Sequence, residues 1–305
     1  MSQHLRISLG PVLYYWPKAQ LLDFYERIAQ SPVDIVYLGE TVCSKRRALS
    51  HEEWLSLAET LKAAGKEVVL STLTLIEAES ELKSLRRLCE NGDFMVEAND
   101  MAAVEKLSQN SIPFVTGPAI NIYNARTLQF LAGQSLKRWV FPIELSQQEL
   151  GQMLAEKPEG VETEIFSWGR MPLAYSARCF TARAHNLPKD DCQYRCLDDP
   201  NGLLMNTRED NAFLCLNGIQ TQSALTCNLM AEIPTMAEMG VDIMRVSPQS
   251  NFTENIIMAF DAIRNNTTTA TDFASQLKLW ALADSCNGYW HGQAGMEQAN
   301  QTSHQ

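Results

Sequence analysis

The feature that most limits what this 305-residue chain can fold into is a regular alternation of short β-type runs with helical segments. The runs are Leu5–Leu9, Asp34–Leu38, Glu67–Ser71, Asp93–Glu97, Pro113–Thr116, Arg138–Phe141, Glu162–Phe166 and Asp242–Val246. Between them, Ala19–Ala29 carries Leu21, Leu22, Phe24, Tyr25 and Ile28 at helical spacing, and Ser50–Ala64 opens on a capping box of Ser50 and Glu53. Glu77–Cys89, Asp100–Leu107, Ala125–Leu131 and Ser146–Ala155 continue the pattern. Strand–helix alternation calls for parallel strands joined by right-handed crossovers, and eight such units close into an α/β barrel of the TIM (β/α)8 type. An open doubly wound sheet is the alternative, but no Gly-x-Gly-x-x-Gly follows an early strand to favour it.

The rhythm breaks after Phe166. Residues 167–226 are rich in Cys, Arg, Asp and Gly and read as an elaboration after the seventh strand, with a hairpin of Phe213–Leu216, an Asn217-Gly218 turn and the alternating run Ile219–Leu225. Thr253–Cys286 reads as C-terminal helices and Gln293–Gln305 as a frayed polar tail. A hydrophobic content of 45% with 20% charged residues can bury a sizeable core, so one domain over residues 1–305 is expected. The net charge of −11 opposes a general phosphate-binding surface, and nucleic acid is not expected as a partner. No signal segment and no run of membrane-spanning length is evident, which leads to the expectation of a cytoplasmic protein.

Eight cysteines are too few for a disulfide scaffold and too unevenly placed to be core residues alone. Cys179, Cys192 and Cys196 fall in one polar loop, with Pro188 available to fold it back, and packing as small hydrophobes does not explain them. The barrel selects a fourth partner: Cys43 follows the second strand as the three follow the seventh, so all lie beyond the carboxyl ends of strands. Strands two and seven are separated around a closed barrel only by eight and one. Four thiolates suit an iron–sulfur cluster or zinc, and chance clustering is the third reading. Structural zinc sites pair cysteines two to four residues apart in two knuckles, whereas only Cys192 and Cys196 are close here, which favours iron. Arg178, Arg183, Lys189 and Arg195 could offset cluster charge or form a solvated loop. Cys89, Cys215, Cys227 and Cys286 read as buried core.

The run Glu164-Ile-Phe-Ser-Trp-Gly-Arg-Met-Pro-Leu-Ala-Tyr-Ser-Ala-Arg-Cys179 resembles the signature of the collagenase-like peptidases, family U32, and the likeness extends from the first strand to Val246–Pro248. Pro172 and Ala177 stand where many members have cysteine and glycine. With Gly39-Glu-Thr-Val-Cys-Ser-Lys-Arg46 they make the chain look like the ubiquinone-biosynthesis branch of that family, which is not understood as proteolytic. That resemblance implies dioxygen-independent hydroxylation of the aromatic ring of isoprenoid ubiquinone precursors, in a heterodimer with the homologous UbiU. It also implies a [4Fe–4S] cluster held by Cys43, Cys179, Cys192 and Cys196. Other members modify RNA bases, which the acidic balance here disfavours.

Glu40, Glu97, Asn121, Glu144 and Glu164 fall at strand ends and are expected to project into the barrel mouth as candidates for substrate binding or proton movement, the plainer reading being caps and rim residues. Lys45, Arg46 and Arg47 could hold a carboxylate, or be solvated, and His185 could be a ligand or proton donor, or merely exposed. A protease has few possible members: neither Gly-x-Ser-x-Gly nor His-Glu-x-x-His occurs, and a Cys43–His51 dyad would leave the loop cysteines without a purpose. An electron-transfer or scaffold subunit without catalytic residues of its own is the non-enzymatic alternative.

Overall fold

The computed structural model describes residues 5–299. All eight expected strands form: β1 (Arg6–Leu9), β2 (Ile35–Leu38), β3 (Glu67–Ser71), β4 (Met95–Ala98), β5 (Phe114–Thr116), β6 (Leu136–Val140), β7 (Glu162–Tyr175) and, after three strands of the elaboration, β11 (Ile243–Val246). Consecutive strands β1 to β7 pair in parallel, and β11 pairs in parallel with both β7 and β1 to close the barrel. The helices between them are α1 (Lys18–Ala29), α2 (His51–Ala63), α3 (Glu79–Cys89), α4 (Met101–Gln109), α5 (Ala125–Ala132) and α6 (Gln147–Ala155). Side-chain caps fix several of these starts: Ser50 and Ser146 complete reciprocal boxes with Glu53 and Glu149, while Asp100 and Asn124 accept from Ala102 and Thr127.

The extent of β7 departs from expectation. It does not stop at Phe166 but continues to Tyr175, and from Trp168 onward pairs antiparallel with β10 (Gln220–Asn228). Gly169 and Pro172 look like terminators in a linear reading. Pro172 is tolerated because it sits beside irregularities in the ladder, at the shifts flanking Gln222. Beyond β10 the sheet adds β9 (Ala212–Asn217) and β8 (Leu203–Asn206), so the elaboration is a continuation of the barrel sheet. The hairpin turn lies at Gly218-Ile219, one residue later than expected, with Gly218 in the left-handed region at φ +65°.

The elaboration also holds α7 (Phe180–Ala184), and the C-terminal region holds α8 (Ile233–Met239), α9 (Thr253–Arg264) and α10 (Ala274–Trp280), followed by a two-residue strand, β12 (Ser285–Cys286), on β10. Helices were expected through Cys286; the strand forms because Cys227 and Cys286 meet as register partners in a buried edge. Residues 293–299 are not frayed: the Asn287 and Gly288 amides donate to the Glu297 carbonyl at 3.0 and 2.9 Å, and the Ala299 amide donates to Asn287 Oδ1 at 2.7 Å. The rest of the expected tail, 300–305, lies outside the described residues.

The main core packs the helices against the outside of the barrel. A second, small core of Ile35, Tyr37, Val69, Val115 and Ile243 fills part of the interior. The remaining interior is polar. Arg138 reaches Glu162 at 2.7 Å, Glu67 at 2.7 Å and the Tyr37 hydroxyl at 3.1 Å, while Arg6 pairs with Glu67 at 2.9 Å and with Glu162. Above this layer Arg245 donates to Glu164 at 2.8 Å and to Glu97 at 2.7 Å. No helix among the described residues is long and apolar enough to cross a membrane.

Candidate metal centre

Cys43 sits on a tight turn at the carboxyl end of β2. Glu40 accepts from the amides of Val42 and Cys43, both at 2.9 Å, and the Arg46 amide donates to the Cys43 carbonyl at 2.9 Å. The preceding Gly39 is required by geometry: at φ +135° a Cβ would lie 2.5 Å from the Ser71 carbonyl oxygen of the neighbouring strand. Glu40, expected as a mouth residue, is therefore the anchor of this loop.

The other three cysteines are brought round by the elaboration. Cys179 caps α7, its sulfur accepting from the Ala182 amide at 3.4 Å. That helix docks on the β9–β10 turn through Phe180 N–H to the Gly218 carbonyl at 2.8 Å and Gly218 N–H to Thr181 Oγ1 at 2.9 Å. Between Cys192 and Cys196 the chain reverses through two consecutive left-handed residues, Gln193 at φ 50° and Tyr194 at φ 52°. For residues with a Cβ this conformation costs roughly 1–2 kcal/mol each and persists only where the surroundings impose it. Tyr194 is held against Tyr15 with ring centroids 5.7 Å apart.

Cys43, Cys179, Cys192 and Cys196 all line one pocket of about 310 Å³, together with Lys45, Arg46, Arg195 and Gly218. Arg46 is only 4% exposed, so the expectation of a solvated cation there is corrected. Its guanidinium donates to the Leu13 carbonyl and to Asn217 Oδ1, each at 2.7 Å, and its buried Nε has no partner. Gly218 is the close neighbour that permits this: a Cβ there would stand 2.9 Å from Arg46 Nη2. Lys45 Nζ ties the two ligand segments, donating to the Lys189 carbonyl at 2.8 Å and to Asp190 at 3.0 Å. Arg47, Arg178 and Arg183 are exposed.

Burial raises the Cys43 thiol above its ordinary range, opposed by the Lys45 amide and the Arg46 charge; burial likewise raises Cys196, opposed by Arg46. A metal binds thiolates, and the buried guanidinium lowers the cost of forming them. The donor set, the pocket around it and the unpartnered Arg46 Nε fit a polynuclear thiolate-ligated group. Among the described residues no three His, Cys, Asp or Glu side chains form a group able to hold a metal ion. A single tetrahedral zinc, at Zn–S of about 2.3 Å, would need its sulfurs within about 4 Å of one another.

The remaining candidates separate. Glu97 and Glu164 lie fully buried in the barrel, joined through Arg245. Burial alone would raise the Glu164 carboxyl, but Arg245, Arg138 and the Ser8 hydroxyl beside it hold it below the usual carboxylate range. Asn121 and Glu144 are exposed and line neither the cysteine pocket nor the cavity above Arg245, and Glu144 accepts from the Tyr123 hydroxyl at 2.8 Å. His185 terminates α7 outside the pocket lining, its Nε2 buried without a partner. Cys89, Cys215, Cys227 and Cys286 are buried, as expected of core cysteines. Arg245, Tyr37 and Arg138 were not singled out from sequence, although Arg245, a cation between Met244 and Val246 in a strand buried throughout, carries a signal of an inward-facing charge.

Residues 21–300 match the profile of peptidase family U32. The tRNA hydroxylation protein P1 of Bacillus subtilis (strain 168) is 26% identical over 201 residues, covering 58% of this chain and 45% of that protein, so the match spans about half the length of the curated relative. Among solved structures, the U32 peptidase Mk0906 superposes with a TM-score of 0.44 at 13% identity, covering 82% of this chain and 95% of that one. The sialic acid aldolase of Aliivibrio salmonicida does so with a TM-score of 0.45 at 12% identity, covering 88% and 77%. With the profile covering nearly the whole chain, from α1 to beyond the cysteine pocket, the protein belongs to peptidase family U32.

Proposed function

We propose that this chain is a UbiV-type subunit that supports dioxygen-independent ring hydroxylation of ubiquinone precursors in a heterodimer with UbiU, its Cys43, Cys179, Cys192 and Cys196 holding a [4Fe–4S] cluster. The observation that carries the reading is the meeting of four thiols from two distant segments in one pocket walled by a buried arginine. Four cysteines lining one pocket match the thiolate set that a [4Fe–4S] cluster takes. A relative named for hydroxylation supports the reaction class. When bound, such a cluster supplies one-electron transfer. The chain's own residues supply the rest: the four cysteines fix the group, Arg46 offsets its negative charge, and Lys45 holds the two ligand segments together. Glu97 and Arg245, the latter held by Glu164, line a cavity at the carboxyl end of the barrel.

Hydroxylation of a tRNA base is the second reading, favoured by the name of that same relative; the net charge of −11 weighs against it. The full chain purified without air is expected to absorb broadly in the blue-violet and to carry about four irons and four sulfides. Cys43→Ser and Cys196→Ser are each expected to lose most of that iron, and with it ring hydroxylation when paired with UbiU. A colourless, zinc-loaded protein, or full activity in both variants, contradicts the proposal, and hydroxylated tRNA in place of hydroxylated quinone precursor transfers it to the second reading.

A further inference from the structure

A second cavity, of about 370 Å³, opens at the carboxyl end of the barrel, walled by Pro11, Pro118, Phe166, Pro172 and Tyr175 and floored by Arg245. Arg245 is 3% exposed, and two of its nitrogens are engaged: Nε by Glu164 at 2.8 Å and Nη1 by Glu97 at 2.7 Å. Its Nη2 is buried without a partner, as is the hydroxyl of Thr41 on the same wall. A buried donor left unmatched costs about 1–3 kcal/mol, which a ligand oxygen would recover.

We propose that this cavity seats an uncharged aromatic ring bearing an oxygen substituent, the oxygen accepting from Arg245 Nη2. The cavity is open to solvent, and its flat apolar walls of proline and aromatic side chains suit the faces of a ring. Charge decides against an anion. One guanidinium already faces two carboxylates, Glu164 and Glu97, so a further negative group would enter a site that carries a net −1 before it arrives. The cavity is also next to the cysteine pocket: Leu13 lines it and belongs to the small apolar cluster, with Val42 and Ile219, on which Cys43 and Cys179 pack. As the seat of the ring that is hydroxylated the assignment rests on the function proposed above; as a binding site for an aromatic oxygen it stands without it.

The test uses the full chain prepared without air, with phenol as the probe and benzoate as the charged comparator, followed by calorimetry and ligand-observed NMR. Phenol is expected to bind at least tenfold more tightly than benzoate. Gly10→Ala sets a methyl in ordinary contact with Arg245 Cδ, 3.4 Å away, and is expected to weaken phenol binding severalfold by narrowing the approach. Thr41→Val, close in shape, is expected to weaken it about threefold to tenfold. Replacing all four pocket cysteines by serine is expected to leave phenol binding intact, so loss of the cluster reading and loss of this one are separable. Absence of phenol binding, equal or tighter binding of benzoate, or phenol binding unchanged in both Gly10→Ala and Thr41→Val overturns the proposal.

Discussion

At the scale of single residues, the sites that matter are those where backbone geometry and chemistry coincide. Gly39 is one: its φ of +135° and the Ser71 carbonyl 2.5 Å from a notional Cβ leave no room, because backbone oxygen in a sheet cannot swing aside. Gly39→Ala is expected to cost about 2–4 kcal/mol in urea unfolding and to displace the Cys43 turn that follows it. Arg46 is the other. In sequence it stands inside a run of three cations and reads as solvated, yet it is the buried member of the run, because the hairpin turn at Gly218 closes over it. Nothing local marks that outcome; it depends on a turn far along the chain. That the four cysteines come to one pocket, by contrast, was legible, since three thiols in a polar loop have no packing explanation and strand order points to the fourth.

At the scale of elements, the strands and helices of the barrel were readable because each carries its own period and its own cap. Ser50 accepts from Glu53 N–H while Glu53 accepts from Ser50 N–H at 2.8 Å, and both partners were identifiable before the fold was known. Ser50→Ala is expected to destabilise the protein by about 1 kcal/mol, measured by chemical denaturation, without changing iron content. The length of β7 was not readable. Its second half alternates poorly, contains Gly169 and Pro172, and is held straight by β10 rather than by its own sequence. Asn121 and Glu144 show a related limit on what a strand end encodes: it specifies which face a loop leaves from, not how far its side chains turn from the axis.

At the scale of the whole molecule, the polar barrel interior links distant strands through charge. Glu164 receives Arg245, Ser8 and the Tyr37 hydroxyl, the last at 2.5 Å, so β1, β2, β7 and β11 converge on one carboxylate. Its carboxyl is held below the ordinary value in the folded state, so its contribution is full above the unfolded value of about 4.3 and is lost as pH falls through the lower folded value. Glu164→Gln is expected to cost about 3 kcal/mol at pH 7, where it leaves Arg245 short of a partner. Below pH 4 the difference between wild type and variant is expected to shrink, as followed by urea midpoints across that range.

One strand serves two parts of one sheet: the first half of β7 is a stave of the barrel and its second half carries the antiparallel extension from which Cys179 departs. The cysteine-bearing lobe is thus not a detachable module. Cutting it out would remove the far end of a stave, and grafting it onto another barrel would require transplanting that stave with its neighbours, so the pocket and the barrel must be inherited, or engineered, as one piece.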